Sequence, residues 1–184
     1  MGDSGEERVV EHLRDAHAIE EQALKQLERA VELANDDQIE QVYREHLEET
    51  HEHEKLVRER LEAHDHEPSA VKDLTMRSGA VGLRQLADIA PETPVKLAMH
   101  FYAFEHLEIA NYELLGRIAR GAGDDETAQA AEKILEQERA AAEKVAETFD
   151  RAAELLLEAE ESEGEEGSDS GSEEASREKE EAKS

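Results

Sequence analysis

The sequence has no cysteine, no tryptophan and only three prolines in 184 residues. Without cysteine there is no disulfide, thiolate ligand or redox thiol. So few prolines leave long stretches free to be helical and argue against a β fold built on many turns. Aromatic residues make up 3%. The apolar material is chiefly Ala, Leu and Val, a mixture that favours helices. Nothing approaches the run of about 20 apolar residues that crosses a bilayer. No signal-peptide pattern opens the sequence, so the cytoplasm is the expected compartment. Basic residues are scarce as well: 21 against 49 acidic ones, a formal net charge of −28. Such a field repels nucleic acid and anionic lipid, and both are excluded as partners.

The length suits one domain with a real core. Glu158 to Ser184 carries 12 acids and 3 bases, which leaves −19 on residues 1–157. The acidity therefore belongs to the domain and not only to its end. Arg outnumbers Lys, 13 to 8. A strongly acidic, Lys-poor surface fits a protein kept soluble at high salt, and a halophilic source is expected. Raising KCl from about 0.1 M to about 1 M shortens the screening length from about 10 Å to about 3 Å. Denaturant melts should then show a more stable fold, and deletion of residues 162–184 should change this little. Equal stability at both salt levels would remove the salt-adapted reading.

Four long helical segments can be read from the spacing of apolar residues. The first runs from about Glu6 to Ala34, with the stripe Val9, Leu13, Ala16, Leu24, Leu27, Val31. Asn35 and Gln38 resemble a capping box for the second, which runs from about Asp36 to His64. Residues 65–93 are less regular: Pro68-Ser69 can start a short helix that Gly79 and Gly82 interrupt. Thr93-Pro94 starts the third helix, which extends to about Arg120. Gly121-Ala122-Gly123 ends it, and Asp124 caps a fourth that runs to about Glu160. Two helix pairs joined by a long connection predict an all-α, ferritin-like four-helix bundle over residues 1–161, with helices two and three parallel across a long crossover. Residues 162–184 are Gly, Ser and Glu with little apolar content, the composition of a disordered acidic tail.

The informative acids are those standing where Leu or Val should be. Glu20 interrupts the first stripe. His46, Glu49 and His53 fall between Val42 and Leu56 on the second. On the third, Leu97, Phe101 and Phe104 lead into Glu105 and Glu108, followed by Tyr112 and Leu115. Glu138 sits between Leu135 and Ala142 on the fourth. Each helix thus turns a carboxylate inward near its middle. A lone buried carboxylate costs several kcal/mol, and several together repel. Divalent ions resolve both problems, and oxygen ligands with one or two imidazoles suit iron or manganese. Tyr112 reads as core, while His51, His64 and His66 read as exposed.

These residues stand in blocks: Asp15-Ala-His-Ala-Ile-Glu20, His46-Leu-Glu-Glu49-Thr50-x-x-His53, Glu105-His106-Leu-Glu108-Ile-Ala-x-Tyr112 and Leu135-x-x-Glu138. Over about residues 8–155 the arrangement resembles the YciE/YciF-type ferritin-like stress proteins. The resemblance implies a homodimer and a dimetal site, iron ahead of manganese, linked to stress or peroxide handling. The general ferritin-like pattern has Glu-x-x-His on two of its helices. Here Glu49 reaches His53 at i+4, and Ala141 stands where a histidine would follow Glu138. The resulting site is poorer in imidazole and more anionic.

On this reading Glu49 and Glu138 bridge two metal ions, Glu20 and Glu105 are terminal ligands, and Glu108 and His53 complete the shells. His46 is a further candidate ligand. Neutralising Glu138 is expected to relieve repulsion among the inward acids. Ferroxidase-type iron handling, manganese catalase-like peroxide disproportionation and a metal-free helical scaffold are the functions to separate.

Overall fold

A computed structural model describes residues 3–67, 94–159 and 161. Four helices follow one another: α1 Asp3–Leu33, α2 Asp37–Ala63, α3 Pro94–Ala122 and α4 Asp125–Glu147. The expected Thr93 cap, the short helix after Pro68 and the acidic tail lie outside the described residues. Among those residues no helix is long and apolar enough to cross a membrane.

Local chemistry fixes the helix ends. The cap of α2 is Asp36, one residue later than expected. Its carboxylate accepts from the backbone N–H of Gln38 at 3.0 Å and of Ile39 at 3.2 Å, two donors that a helix start otherwise leaves without partners. At the end of α3, Gly123 takes a φ of +76°, a conformation in which a Cβ is strained. That turn lets the N–H of Asp124 reach Ala119 O at 2.9 Å, and Asp124 then caps α4 by accepting from Thr127 N at 3.0 Å.

The fourth helix is not continuous to Glu160. It breaks at Thr148, whose hydroxyl donates to Val145 O at 2.7 Å. This bond competes with the helical backbone pattern. The chain is helical again over 149–159, where Arg151 Nε donates to Asp36 Oδ2 at 2.8 Å and ties this extension to the start of α2.

Cross-helix contacts give the topology. Arg14 meets His66 and His17 meets Glu54, so α1 and α2 are antiparallel. Glu113 meets Arg139 and Arg120 meets Glu132, so α3 and α4 are antiparallel. His100 meets Gln26 across α1–α3, and Arg60 meets Glu126 across α2–α4. Each neighbour is antiparallel, so α2 and α3 run parallel and the ends joined by residues 68–93 lie at opposite ends of the bundle. That is the ferritin-like arrangement.

The core has two apolar ends. One contains Val9, Leu13, Val57, Leu61, Leu115 and Ile134. The other contains Leu27, Ile39, Tyr43, Leu97, Phe101 and Val145. Each large side chain buried there is worth about 1.5–3 kcal/mol. The α3 stripe falls as the sequence predicts. The α2 stripe is Ile39, Tyr43, His46, Thr50, His53, Val57, Leu61, so Val42, Glu49 and Leu56 are each replaced inward by the following residue. Likewise Ala23 is buried rather than Leu24, and Ile134 rather than Leu135.

Candidate metal centre

Between the two apolar ends lies a layer of polar side chains, at least one from each helix. Glu20, His53 and Glu138 are 0% exposed, Glu105 and Glu108 1%, and His46 2%. Helical spacing puts them there. His46 and His53 are seven residues apart, two turns, and so share one face of α2. Glu105, Glu108 and Tyr112 are three and four apart on α3, again one face. On α1, Ala16 and Ala23 flank Glu20, and on α4, Ala141 and Ala142 follow Glu138. These small buried residues leave room for carboxylates at the centre.

The donor atoms fall into two groups. His46, Glu105, Glu108 and Glu138 each bring one donor atom within 4.8 Å of the others, and so do Glu20, His53 and Glu138. Glu138 belongs to both. His46 Nε2 lies 3.0 Å from Glu105 Oε2 and 3.5 Å from Glu138 Oε2. His53 Nδ1 lies 2.8 Å from Glu138 Oε1 and 3.9 Å from Glu20 Oε2.

These atoms are close, yet they are not aligned as hydrogen bonds. His46 Nε2, His53 Nδ1, Glu105 Oε2, Glu20 Oε2 and both oxygens of Glu108 and Glu138 have no hydrogen-bond partner among the described residues. Buried polar groups are normally paired. Donor atoms that converge in this way can hold a cation between them. The donor set, mostly carboxylate with two imidazoles, fits divalent metal.

The outer atoms of the two rings are held separately. His46 Nδ1 is 3.4 Å from Glu49 Oε2 and donates to it. His53 Nε2 donates to Gln137 Oε1 at 3.3 Å. Partners of this kind fix ring orientation and tautomer in metal sites. Tyr112 is both core and partner: its hydroxyl donates to Glu20 Oε1.

Six of the seven residues singled out in the sequence therefore meet in one layer, and Glu49 does not. Its side chain is 30% exposed at the edge of the layer, because Thr50 takes the inward position. Three polar residues went unmarked. Gln137 is adjacent to an inward acid but not on its stripe. His17 and His100 are buried and bond to Glu54 and Gln26, both at 3.0 Å. His64, expected exposed, is largely covered and meets Asp124 at 2.8 Å. Their spacing did carry a signal: His17 stands four residues after Leu13, His100 three after Leu97 and four before Phe104, and His64 three after Leu61, all beside buried stripe positions.

Electrostatics in the layer follow from burial. Burial, and then the charge of Glu138, push Glu20 and Glu108 well above the usual carboxylate range. Burial pushes Glu105 up to about 7. For Glu138 burial acts in the same direction, but His53 and His46 outweigh it and hold the carboxyl below its ordinary value. Burial also works against the charge on His46, but Glu105 and Glu49 overcome it and raise the imidazole.

A pH dependence follows. Raised groups bind more protons in the folded than in the unfolded chain, so their contribution is present below the unfolded pKa and is lost as pH rises through the folded value. The rise of Glu105 from 4.5 to about 7 corresponds to at most about 3 kcal/mol. Metal-free protein should lose stability between about pH 5 and about pH 8 in denaturant melts. Metal affinity should move the opposite way, because the ligands must be deprotonated to bind. A metal-free stability that rises across this window would show that the acids are not held in the buried layer described.

Residues 4–157 match the protein family described as a domain of unknown function, DUF892. A protein of Xanthomonas campestris pv. campestris has a similar structure, with 30% identity, TM-score 0.71 and coverage of 85% of this chain and 99% of its own. The stress protein YciF of E. coli aligns at 21% identity and TM-score 0.68, covering 83% of this chain and 99% of its own. A dodecameric thioferritin from Bacteroides fragilis, related to bacterioferritin, aligns at 19% identity and TM-score 0.70, over 83% of this chain and 90% of its own.

Proposed function

The chain belongs to the DUF892 family, and on that footing we propose that its polar layer holds two metal ions, iron ahead of manganese, in a protein that handles iron or peroxide under oxidative stress. The observation that carries this reading is the pair of buried donor groups sharing Glu138, with the converging atoms left without hydrogen-bond partners. His46, Glu105 and Glu108 would hold one ion, Glu20 and His53 the other, and Glu138 would serve both. Bound there, the ions supply redox and Lewis-acid chemistry that no side chain in the layer offers.

The chain's own residues do the rest. The two apolar ends keep bulk water from the layer. Gln137 orients His53, and Tyr112 holds one oxygen of Glu20 so that the other faces the donors. Glu49 is reassigned from bridging ligand to partner of His46. A metal-free scaffold fits less well, since neither oxygen of Glu108 has a hydrogen-bond partner among the described residues.

Self-association is part of this reading, with a homodimer as the expected form. Met99, Tyr102 and Phe149, which are 58%, 36% and 40% exposed, line an apolar groove suited to contact between copies.

The direct test is elemental analysis after native purification without added metal. About two ions of iron or manganese per chain are expected. Purified protein that holds neither metal, and takes up neither when offered Fe(II) or Mn(II), would overturn the proposal.

A further inference from the structure

Six members of the polar layer are at most 2% exposed, whereas the side chain of Glu49 is 30% exposed. Glu49 is also joined to the layer. Its Oε2 accepts from His46 Nδ1 at 3.4 Å, and the far nitrogen of that ring is 3.0 Å from Glu105 and 3.5 Å from Glu138. On the solvent side, Lys144 Nζ lies 3.8 Å from Glu49 Oε1 and 3.2 Å from Glu45 Oε2. Glu45 itself is 46% exposed. On α4, Lys144 lies about 120° around the helix from Glu138, so it stands at the rim of the layer, 36% exposed, while Glu138 is fully buried. A file of metal-ligating atoms therefore runs from solvent to the centre between α2 and α4: Glu45, Glu49, His46, then Glu105 and Glu138. At its inner end His46 Nε2, Glu105 Oε2 and both oxygens of Glu138 have no hydrogen-bond partner among the described residues.

We propose that this file is the route by which a divalent cation reaches the buried layer, with Glu45 and Glu49 as capture carboxylates and Lys144 as the cation they hold in its absence. The inference rests on the dimetal reading above. The chemistry is cation exchange. An ammonium and a divalent ion compete for the same carboxylate oxygens, and the divalent ion binds them as ligands, which the ammonium cannot do. From Glu49 the next donor inward is an imidazole, a good ligand for the same metals. The net charge of −28 raises the local concentration of cations at the mouth of the file. Glu49 is here a transient ligand, and so need not be part of the resident set.

The test is the rate at which metal-free full-length protein takes up Mn(II), followed by loss of the free-ion EPR signal after mixing. Elemental analysis of the loaded protein gives the final content. Glu49→Gln should slow uptake about tenfold, and at saturating Mn(II) it should still reach the wild-type number of ions per chain, because the amide oxygen can go on accepting from His46 Nδ1. Lys144→Met should load faster than wild type. Glu48→Gln, an exposed acid on the same helix, should load at the wild-type rate. Wild-type loading by Glu49→Gln would overturn the route. Loss of an ion from the final content of Glu49→Gln would overturn it too, by making Glu49 a resident ligand. Wild-type protein that takes up neither Mn(II) nor Fe(II) would sink the dimetal reading itself, and the route with it.

Discussion

Glu108→Gln is expected to move metal content and metal-free stability in opposite directions. Glu108 is buried, its oxygens lack hydrogen-bond partners among the described residues, and burial with the charge of Glu138 pushes its carboxyl well up. A neutral amide keeps the shape, removes a repelled group, and can donate to neighbouring carboxylates. The metal-free protein should gain about 1–3 kcal/mol at neutral pH, the worth of one to two pKa units of relieved repulsion. Metal content should fall by about one ion per chain, since an amide is a poor ligand for these metals.

Glu138→Gln is the contrasting case, and here the sequence expectation is revised. Glu138 is the acid the histidines hold ionised, with His53 Nδ1 at 2.8 Å. Removing its charge strips both rings of their counter-charge, so metal-free stability should drop by about 1–3 kcal/mol. Metal content should fall below about one ion per chain, because both donor groups lose a member. Glu143→Gln, exposed on the same helix, should stay within about ±0.5 kcal/mol. Differential scanning and elemental analysis on the three variants read both quantities. Equal metal content in all three would show that neither Glu108 nor Glu138 is a ligand.

Loading with metal should raise the melting temperature by about 10 °C. An ion bound only by the folded chain, at about a thousand times its Kd, adds about 4 kcal/mol. For a chain of this size each kcal/mol is worth about 2–4 °C. Chelation should reverse the gain, and added Fe(II) or Mn(II) should restore it. A melt that ignores both chelator and metal would count strongly against the site. Mg(II) serves as a control, since its preference for water and oxygen leaves it little use for imidazole.

The fold was legible because its signals are long-range and repeated. Pro94, Gly123 and Asp124 mark helix boundaries, and within the four described helices no other period competes. The α3 side of the site was legible for the same reason: Phe101, Phe104, Glu105, Glu108 and Tyr112 stand on one narrow face. On α2 the register slipped. The true stripe steps by four and three through Tyr43, Thr50 and Val57, and each of these follows a residue that also suits an inward position: Val42, Glu49 and Leu56. Adjacent helical residues differ by only about 100°, so a wide stripe leaves the choice to packing against α4, which one chain's pattern does not carry. The same ambiguity exchanged Leu135 for Ile134. Gln137 was invisible because a glutamine beside a glutamate has no spacing of its own to mark it.

The polar layer has a consequence for how the molecule comes apart. Apolar contact is continuous within each end of the bundle and interrupted between them. Metal ions ligated from all four helices would act as a rivet through that gap, making two weakly linked halves one cooperative unit. Without them the halves are joined by helical backbone, by the histidine–carboxylate pairs of the layer and by the small cluster of Ile19, Ala23 and Phe104, a weaker link that lets one half open ahead of the other. Loss of metal is then a loss of cooperativity as well as of stability. A cell that starves this protein of metal would meet it first as a bundle open at one end.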